Sequence, residues 1–322
     1  MLKIGNIVIP SQLVLAPMAG VSGLPFRMIN RSFGCEFAFL EMASARTLGF
    51  MKRKTRRIIS TILSDKPLGI QLLGAEPDII RRAMEILQPD NFDIIDLNAA
   101  CPVKKVVNRK EGAGLLKDPH NLNRLLKIMV DNTDRPITVK IRSGWDENSI
   151  NAVDTALAAQ DAGIKALFIH GRTKAQGYSG AVDYGIIRRV KQALSIPVIA
   201  SGNALSPQLI KKLFDETGCD GVAVARGALG NPWIWPATMQ FLKTGTMPPA
   251  PGLSEISETM EKYLDQCVDF YGQRTGVIRF RNFFYWHAKE KPGIRSLRQE
   301  IFHANTKEQM MEMVSVTRNA VT

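Results

Sequence analysis

Eight short apolar runs, at 13–16, 37–40, 68–71, 93–96, 137–140, 166–169, 197–200 and 221–224, constrain this chain more than any other feature. Each is a continuous stretch of β-branched or aliphatic residues, as in strands covered on both faces. Helical stretches fall between them. Asp118-Pro119 opens one that carries Leu122, Leu125, Leu126 and Met129. Ser206-Pro207 opens another that runs through Leu209, Ile210 and Leu213 and stops at Gly218, and 78–87 places Ile79, Ile80, Ala83, Met84 and Leu87 at helical spacing. Alternating buried strands and amphipathic helices specify a parallel βα fold, and eight strands at roughly 25- to 45-residue spacing are the count of a (β/α)8 TIM barrel. The expected organisation is a TIM barrel over 1–243, a Pro- and Gly-rich linker, and a small C-terminal all-helical domain over 253–322.

The 322 residues, 45% of them hydrophobic, suffice for one barrel and its appendage. No apolar run reaches the roughly 20 residues that span a bilayer, and the N-terminal sequence lacks a secretory apolar region, so no membrane role and a cytoplasmic location are expected. Cys35, Cys101, Cys219 and Cys267 are widely spaced with no C-x-x-C pair, which argues against a metal site and a disulfide framework. Cys35, Cys219 and Cys267 lie among apolar residues and read as buried small hydrophobes. The net charge of +12 points to a polyanionic partner, of which nucleic acid is the commonest, although charge alone leaves the question open.

In a barrel of this type, chemistry gathers where the strands surface at their C-terminal ends. The exits here are Pro17-Met18-Ala19, Glu41, Gln71, Asn98 with Cys101, Lys140, His170, Ser201-Gly202-Asn203 and Ala225-Arg226-Gly227. Singly, each has a dull explanation: Lys140 a solvated strand end, His170 a satisfied core histidine, Gly202 a turn residue. All eight together argue for a site. The loops after strands seven and eight form the pair that holds phosphate in many barrels, with small residues admitting an anion to backbone N–H groups and Arg226 adding charge. Gln71, Lys140 and His170 converge on the mouth. A primary amide suits the donor and acceptor edge of a flavin, and an ammonium would stabilise the anionic reduced ring. Lys140 as the Schiff-base nucleophile of a phosphate-binding aldolase fits the same residues, and composition does not separate the two. The Cys101 thiol, with a reference pKa of about 8.5, is mostly protonated at neutral pH and suits an acid.

These residues fall in motifs that resemble the tRNA-dihydrouridine synthases, most nearly their bacterial B-type branch, over almost the whole chain. The matching segments begin with Leu15-Ala16-Pro17-Met18-Ala19-Gly20, Gly69-Ile70-Gln71-Leu72 and Asp96-Leu97-Asn98 through Cys101-Pro102. They continue with Val139-Lys140-Ile141-Arg142-Ser143-Gly144-Trp145, Ile169-His170-Gly171-Arg172-Thr173 through Tyr178, and both phosphate loops. The resemblance implies an FMN enzyme that uses NADPH to reduce uridines of tRNA. It implies that Pro17, Met18, Ala19, Gln71, Lys140 and His170 contact the flavin, that Ser201, Gly202, Asn203, Ala225 and Arg226 hold its phosphate, and that Cys101 donates a proton. Asn98, Lys104, Lys105, Arg172, Arg281 and Tyr285 are the expected substrate contacts. The chain departs from the family pattern at Ala99-Ala100, where a glycine usually precedes the cysteine, and at Ser201-Gly202-Asn203, usually asparagine–glycine–aspartate.

Candidate tRNA surface is basic. A run from Arg46 through Lys52, Arg53, Lys54 and Arg56-Arg57 follows strand two, and Lys104, Lys105, Arg109 and Lys110 follow Cys101. In the tail, Phe280, Phe283, Phe284 and His287 form a buried stripe, while Arg274, Arg281, Tyr285 and Lys289 lie on another side, with Arg295 and Arg298 beyond. Each charged run also reads as an ordinary solvated face, and Tyr285 as a packing residue. A dehydrogenase acting on a free pyrimidine shares the flavin site but needs neither the charge nor the basic tail.

Overall fold

The computed structural model describes residues 1–50, 57–88, 92–288 and 300–319. The chain opens with an antiparallel hairpin, β1 (Leu2–Ile4) and β2 (Ile7–Ile9), turned by Gly5 at φ +60°. All eight expected strands then appear: β3 (Leu13–Leu15), β4 (Ala38–Phe39), β6 (Leu68–Leu73), β7 (Ile94–Ala99), β8 (Ile137–Arg142), β9 (Ala166–His170), β10 (Val198–Ser201) and β11 (Gly221–Val224). A two-residue strand, β5 (Ala43–Ser44), pairs with the end of β6. Every pairing in this sheet is parallel, and the β11–β3 and β4–β6 pairs close it into a barrel.

Barrel strands are buried on both faces, which is why their sequences run apolar without alternation. The inward side chains Val14, Phe37, Phe39, Ile94, Phe168 and Ile199 form one core with Leu2, Ile4 and Ile9 of the hairpin. The hairpin therefore stoppers the barrel at the strands' N-terminal end and leaves the opposite end open. Phe39 and Phe168 meet edge-to-face at 5.5 Å, and a Cβ at Gly69 would lie 2.3 Å from the Phe39 ring. That glycine makes room for the aromatic filling of the barrel.

The expected helices form with their caps in place. Asp118 Oδ1 accepts from the Asn121 N–H at 3.0 Å to start Pro119–Asp131, and Ser206 starts Pro207–Thr217, which ends on left-handed Gly218. The third spans Pro77–Leu87.

Beyond helix Ile234–Thr244 and the irregular segment after it come helices Leu253–Tyr271, Gln273–Ala288 and Lys307–Asn319. Phe280, Phe283 and Phe284 are buried as expected. Phe26, on the barrel helix Leu24–Arg31, makes edge contacts with Tyr263 and Phe283, both at 6.4 Å. One apolar cluster runs without a break from the outer barrel wall into the tail. Among the described residues, the C-terminal helices thus pack against the barrel's outer core.

Candidate active site

A cavity of about 550 Å³ opens at the C-terminal ends of the strands. Pro17, Met18, Ala19, Gln71, Asn98, Cys101, Lys140, His170, Ser201, Gly202, Asn203, Ala225 and Arg226 all line it. Residues up to about 210 apart in sequence meet there because each terminates a neighbouring strand.

Cys101 sits on a turn held from three sides. Asn98 Oδ1 accepts the N–H groups of Ala100 at 3.0 Å and Cys101 at 2.8 Å, an Asx-type turn. Arg142 Nε donates to the Ala100 carbonyl at 2.7 Å, and the Ala113 N–H donates to the Cys101 carbonyl at 3.0 Å. A Cβ at Gly112 would lie 2.8 Å from that carbonyl, so the segment from Gly112 can approach only without a side chain. The thiol is half-exposed, whereas the other three cysteines are buried. Burial pushes its pKa up, against the Val103 N–H and the charge of Arg142, so the thiol stays protonated at neutral pH.

Lys140 Nζ donates to Ser201 Oγ at 2.8 Å, and the Ser201 hydroxyl donates on to the Ile169 carbonyl at 3.1 Å. Burial, helped by Arg142, lowers Lys140 to about 7, while Asp96 pulls the other way. His170 is driven down to about 2 by burial and then by Lys140, Arg142, Arg172 and Arg226, so it is a neutral imidazole. Its Nε2 lies 3.3 Å from Arg172 Nη1. Because a guanidinium only donates, Nε2 is the acceptor and the ring proton sits on Nδ1.

Gly202 at φ +109° and Asn203 at φ +56° fold the loop after β10 into a concave backbone nest. A Cβ on Gly202 would lie 2.9 Å from the His170 ring. Among the described residues, the N–H groups of Gly202, Asn203 and Arg226 make no hydrogen bond, and all three residues line the cavity. Unpaired N–H groups beside a guanidinium form an anion site, and the cavity falls within the size range of small-molecule pockets, so the residues fit a phosphorylated, ring-bearing ligand such as FMN.

Other expected contacts lie outside the cavity lining. Lys104 and Lys105 are exposed on the short helix Lys104–Val107, whose Val106 lines the mouth. Arg172 is buried; it donates to the Gly180 carbonyl at 2.7 Å and to Asn203 Oδ1 at 3.0 Å, so it braces the nest from behind. Arg281 donates to the Ala304 carbonyl and to Asn305 Oδ1, and Tyr285 packs against Phe302 at 6.0 Å, both within the tail. In the basic run after strand two, Arg46 pairs with Glu76 and Arg57 lies over the Tyr271 ring at 5.7 Å. Residues 51–56 of that run, and Lys289, Arg295 and Arg298 of the tail, lie outside the described residues.

Two cavity residues had no role in the sequence reading although both stand inside its motifs. Arg142 links the Cys101 turn to the Thr173 and Gly177 carbonyls at 3.0 and 2.8 Å. Tyr178, 62% exposed at the rim, is flanked by Arg226 at 5.3 Å and Arg142 at 5.6 Å from its ring.

The profile of the dihydrouridine synthase (Dus) family matches residues 14–321. The chain belongs to the dihydrouridine synthase family. Within this family it is 37% identical, over 92% of its length and 90% of the relative's, to the tRNA-dihydrouridine synthase B of Pseudomonas aeruginosa. It is 36% identical, over 97% of its length and 94% of the relative's, to the tRNA-dihydrouridine synthase B of Xanthomonas campestris. Among solved structures the fold is similar to that of 2-naphthoyl-CoA reductase, with a TM-score of 0.60 and 11% identity over 91% of this chain and 58% of that one. It is also similar to 6-hydroxypseudooxynicotine amine oxidase from Pseudomonas geniculata, with a TM-score of 0.59 and 13% identity over 82% of this chain and 52% of that one. At such identities these two speak for the fold alone. No described helix is long and apolar enough to cross a membrane.

Proposed function

We propose that this protein reduces selected uridines of tRNA to 5,6-dihydrouridine, with FMN in the barrel mouth and NADPH as reductant. The observation that carries the reading is one cavity bordered both by an anion nest and by a protonated, half-exposed thiol. The family and the tRNA-dihydrouridine synthase names of the relatives support it.

FMN held in this cavity would, once reduced, be the source of a hydride for C6 of the uracil. The chain's residues do the rest. The nest at Gly202, Asn203 and Arg226, with Ser201 and Ala225 beside it, grips the phosphate. Pro17, Met18 and Ala19 would border the ring, Gln71 would bond its edge, and Lys140 and His170 would flank it. Protonated Lys140 would place positive charge where a reduced ring is negative, and neutral His170 could donate from Nδ1 without adding a further charge. Charge developing on the uracil after hydride arrival is quenched at C5 by the proton of Cys101. The thiol suits that task because it is still protonated at neutral pH and its turn is fixed by Asn98 and Arg142.

A base inside a folded tRNA cannot reach this depth, so the target nucleotide is extruded, at a cost of a few kcal/mol. The rest of the tRNA offsets that cost through phosphate contacts with the basic surface. Lys104 and Lys105 stand beside the mouth, and Arg281 and Tyr285 belong to the tail that would cradle the RNA. Asn98 borders the space for the extruded base. The net charge of +12 favours a polyanion over a free pyrimidine. Mapping dihydrouridine in tRNA from cells with and without this gene tests the reading. Loss of the modified base at defined positions is expected, and an unchanged map would overturn it.

A further inference from the structure

One buried carboxylate in the barrel has no part in the chemistry above. Asp96 is 1% exposed on β7, and both its oxygens are occupied. Oδ1 accepts from Thr138 Oγ1 at 2.6 Å and Oδ2 accepts from Gln71 Nε2 at 2.8 Å. The chain of bonds continues outward. Gln71 Oε1 accepts from Asn98 Nδ2 at 2.6 Å, and Asn98 Oδ1 accepts the Ala100 and Cys101 N–H groups. Each amide has two possible orientations, and the relay permits only one. A carboxylate accepts and never donates, so the Gln71 NH2 must face Asp96 and its oxygen must face Asn98. Asn98 must then turn its NH2 to Gln71 and its oxygen to the cysteine turn. Reversing Gln71 sets its oxygen against the carboxylate and breaks a hydrogen bond to a charged group, and reversing Asn98 sets its oxygen against Gln71 Oε1 and its NH2 against the Ala100 and Cys101 N–H groups.

We propose that Asp96 is a positioning residue that fixes the donor polarity of the whole site through Gln71 and Asn98. Two consequences reach the cavity. One Gln71 N–H is bonded to Asp96 and the other makes no bond among the described residues, so Gln71 offers the bound ring a donor and faces one of its carbonyl oxygens. Asn98, with its oxygen locked inward, holds the Cys101 turn and thereby aims the thiol. The assignment to flavin rests on the function proposed above; the effect on Cys101 does not.

The test compares Asp96→Leu with Asp96→Asn in the full-length protein. Leucine has no acceptor, so Gln71 and Asn98 are released. Asparagine can keep its oxygen toward Gln71 while its NH2 meets Thr138, whose hydroxyl turns to accept. Two readouts are taken: kcat and KM for tRNA reduction, and the rate of Cys101 modification by a thiol reagent, which reads one site because the other cysteines are buried. The expected result for Asp96→Leu is a kcat lowered by about 10- to 100-fold at an unchanged KM, with faster labelling of Cys101; Asp96→Asn should label at the wild-type rate, while its kcat also registers the loss of the charge that supports the Lys140 ammonium. If Cys101 of Asp96→Asn labels as fast as that of Asp96→Leu, the charge matters and not the acceptor, and the proposal is overturned. Wild-type behaviour of Asp96→Leu also overturns it. Should Asp96→Leu not fold, Gln71→Leu cuts the same relay at its middle and must also label faster; unchanged labelling there refutes the relay. Thiol labelling needs neither flavin nor tRNA, so a wild-type protein inactive on tRNA would count against the proposed function and leave the relay testable.

Discussion

Lys140 on β8 reaches across β9 to donate to the Ser201 hydroxyl at the end of β10, at 2.8 Å. This bond ties Lys140 to the loop that carries the Gly202–Asn203 nest. A buried ammonium without an acceptor is costly, and Ser201 supplies that acceptor while its own proton goes to Ile169. Ser201→Ala should leave the fold intact and lower the rate of tRNA reduction by about 10-fold, the size of one lost hydrogen bond to a charged group. Lys140→Met removes the charge itself and should also shift the potential of bound flavin to more negative values. Stopped-flow reduction and a spectroelectrochemical titration check both.

The anion nest makes a separate prediction. At Gly202 a side chain meets the His170 ring at 2.9 Å on a backbone of φ +109°, so Gly202→Ala must distort the loop. FMN affinity, measured by fluorescence titration of the apoprotein, should weaken by about 10-fold or more, and Arg226→Ala should act in the same direction by removing a charge-assisted hydrogen bond.

Stability should carry the mark of His170. Its native pKa is depressed to about 2, and an unfolded histidine protonates near the ordinary 6.5. Between those values the unfolded chain binds the extra proton, so this residue's contribution to stability falls as pH drops from 6.5 toward 2. Asp96, raised by burial to about 6 from 3.8, acts oppositely: between those values the native state binds the extra proton, and stability falls as pH rises. His170→Asn isolates the first effect. Urea unfolding of wild type and variant on both sides of pH 6.5 should give a flatter acid limb for the variant.

Binding by phosphates predicts a salt dependence. Lys104 and Lys105 are exposed beside the mouth with no carboxylate partner among the described residues. Changing both to alanine should weaken tRNA binding at low salt and reduce the slope of log affinity against log salt by about one for each phosphate that is no longer neutralised. Flavin content should not change. An identical slope would remove this pair from the interface.

Much of this architecture is legible in the sequence alone. The eight barrel strands announce themselves because burial on both faces leaves no polar alternation, and the helices because Asp118, Ser206 and Gly218 mark their ends. The loop residues of the cavity are legible because barrel strands deliver their exits to one place. The N-terminal stopper is not, since three-residue strands such as Leu2–Ile4 carry too short a pattern to reveal their partner. Nor is Asp96, which reads as part of a strand; its role depends on Gln71 and Thr138, distant in sequence. Arg142 and Tyr178 stand within the matched motifs, but only the fold shows one bracing the cysteine turn and the other standing at the rim. Nor is the contact legible that Phe26 of the barrel makes with Tyr263 and Phe283 of the tail beyond 253. A chain ended there would strip the barrel of part of its outer core, so tail function is better probed by point substitutions.

The most direct test of the central claim is a single-turnover experiment on Cys101→Ala. The variant is loaded with FMN, reduced with NADPH, freed of excess reductant and mixed with unmodified tRNA. The account predicts normal flavin content and normal reduction by NADPH, followed by little or no reoxidation of the flavin by tRNA and no dihydrouridine in the product. Reoxidation at the wild-type rate, with dihydrouridine formed, would contradict it.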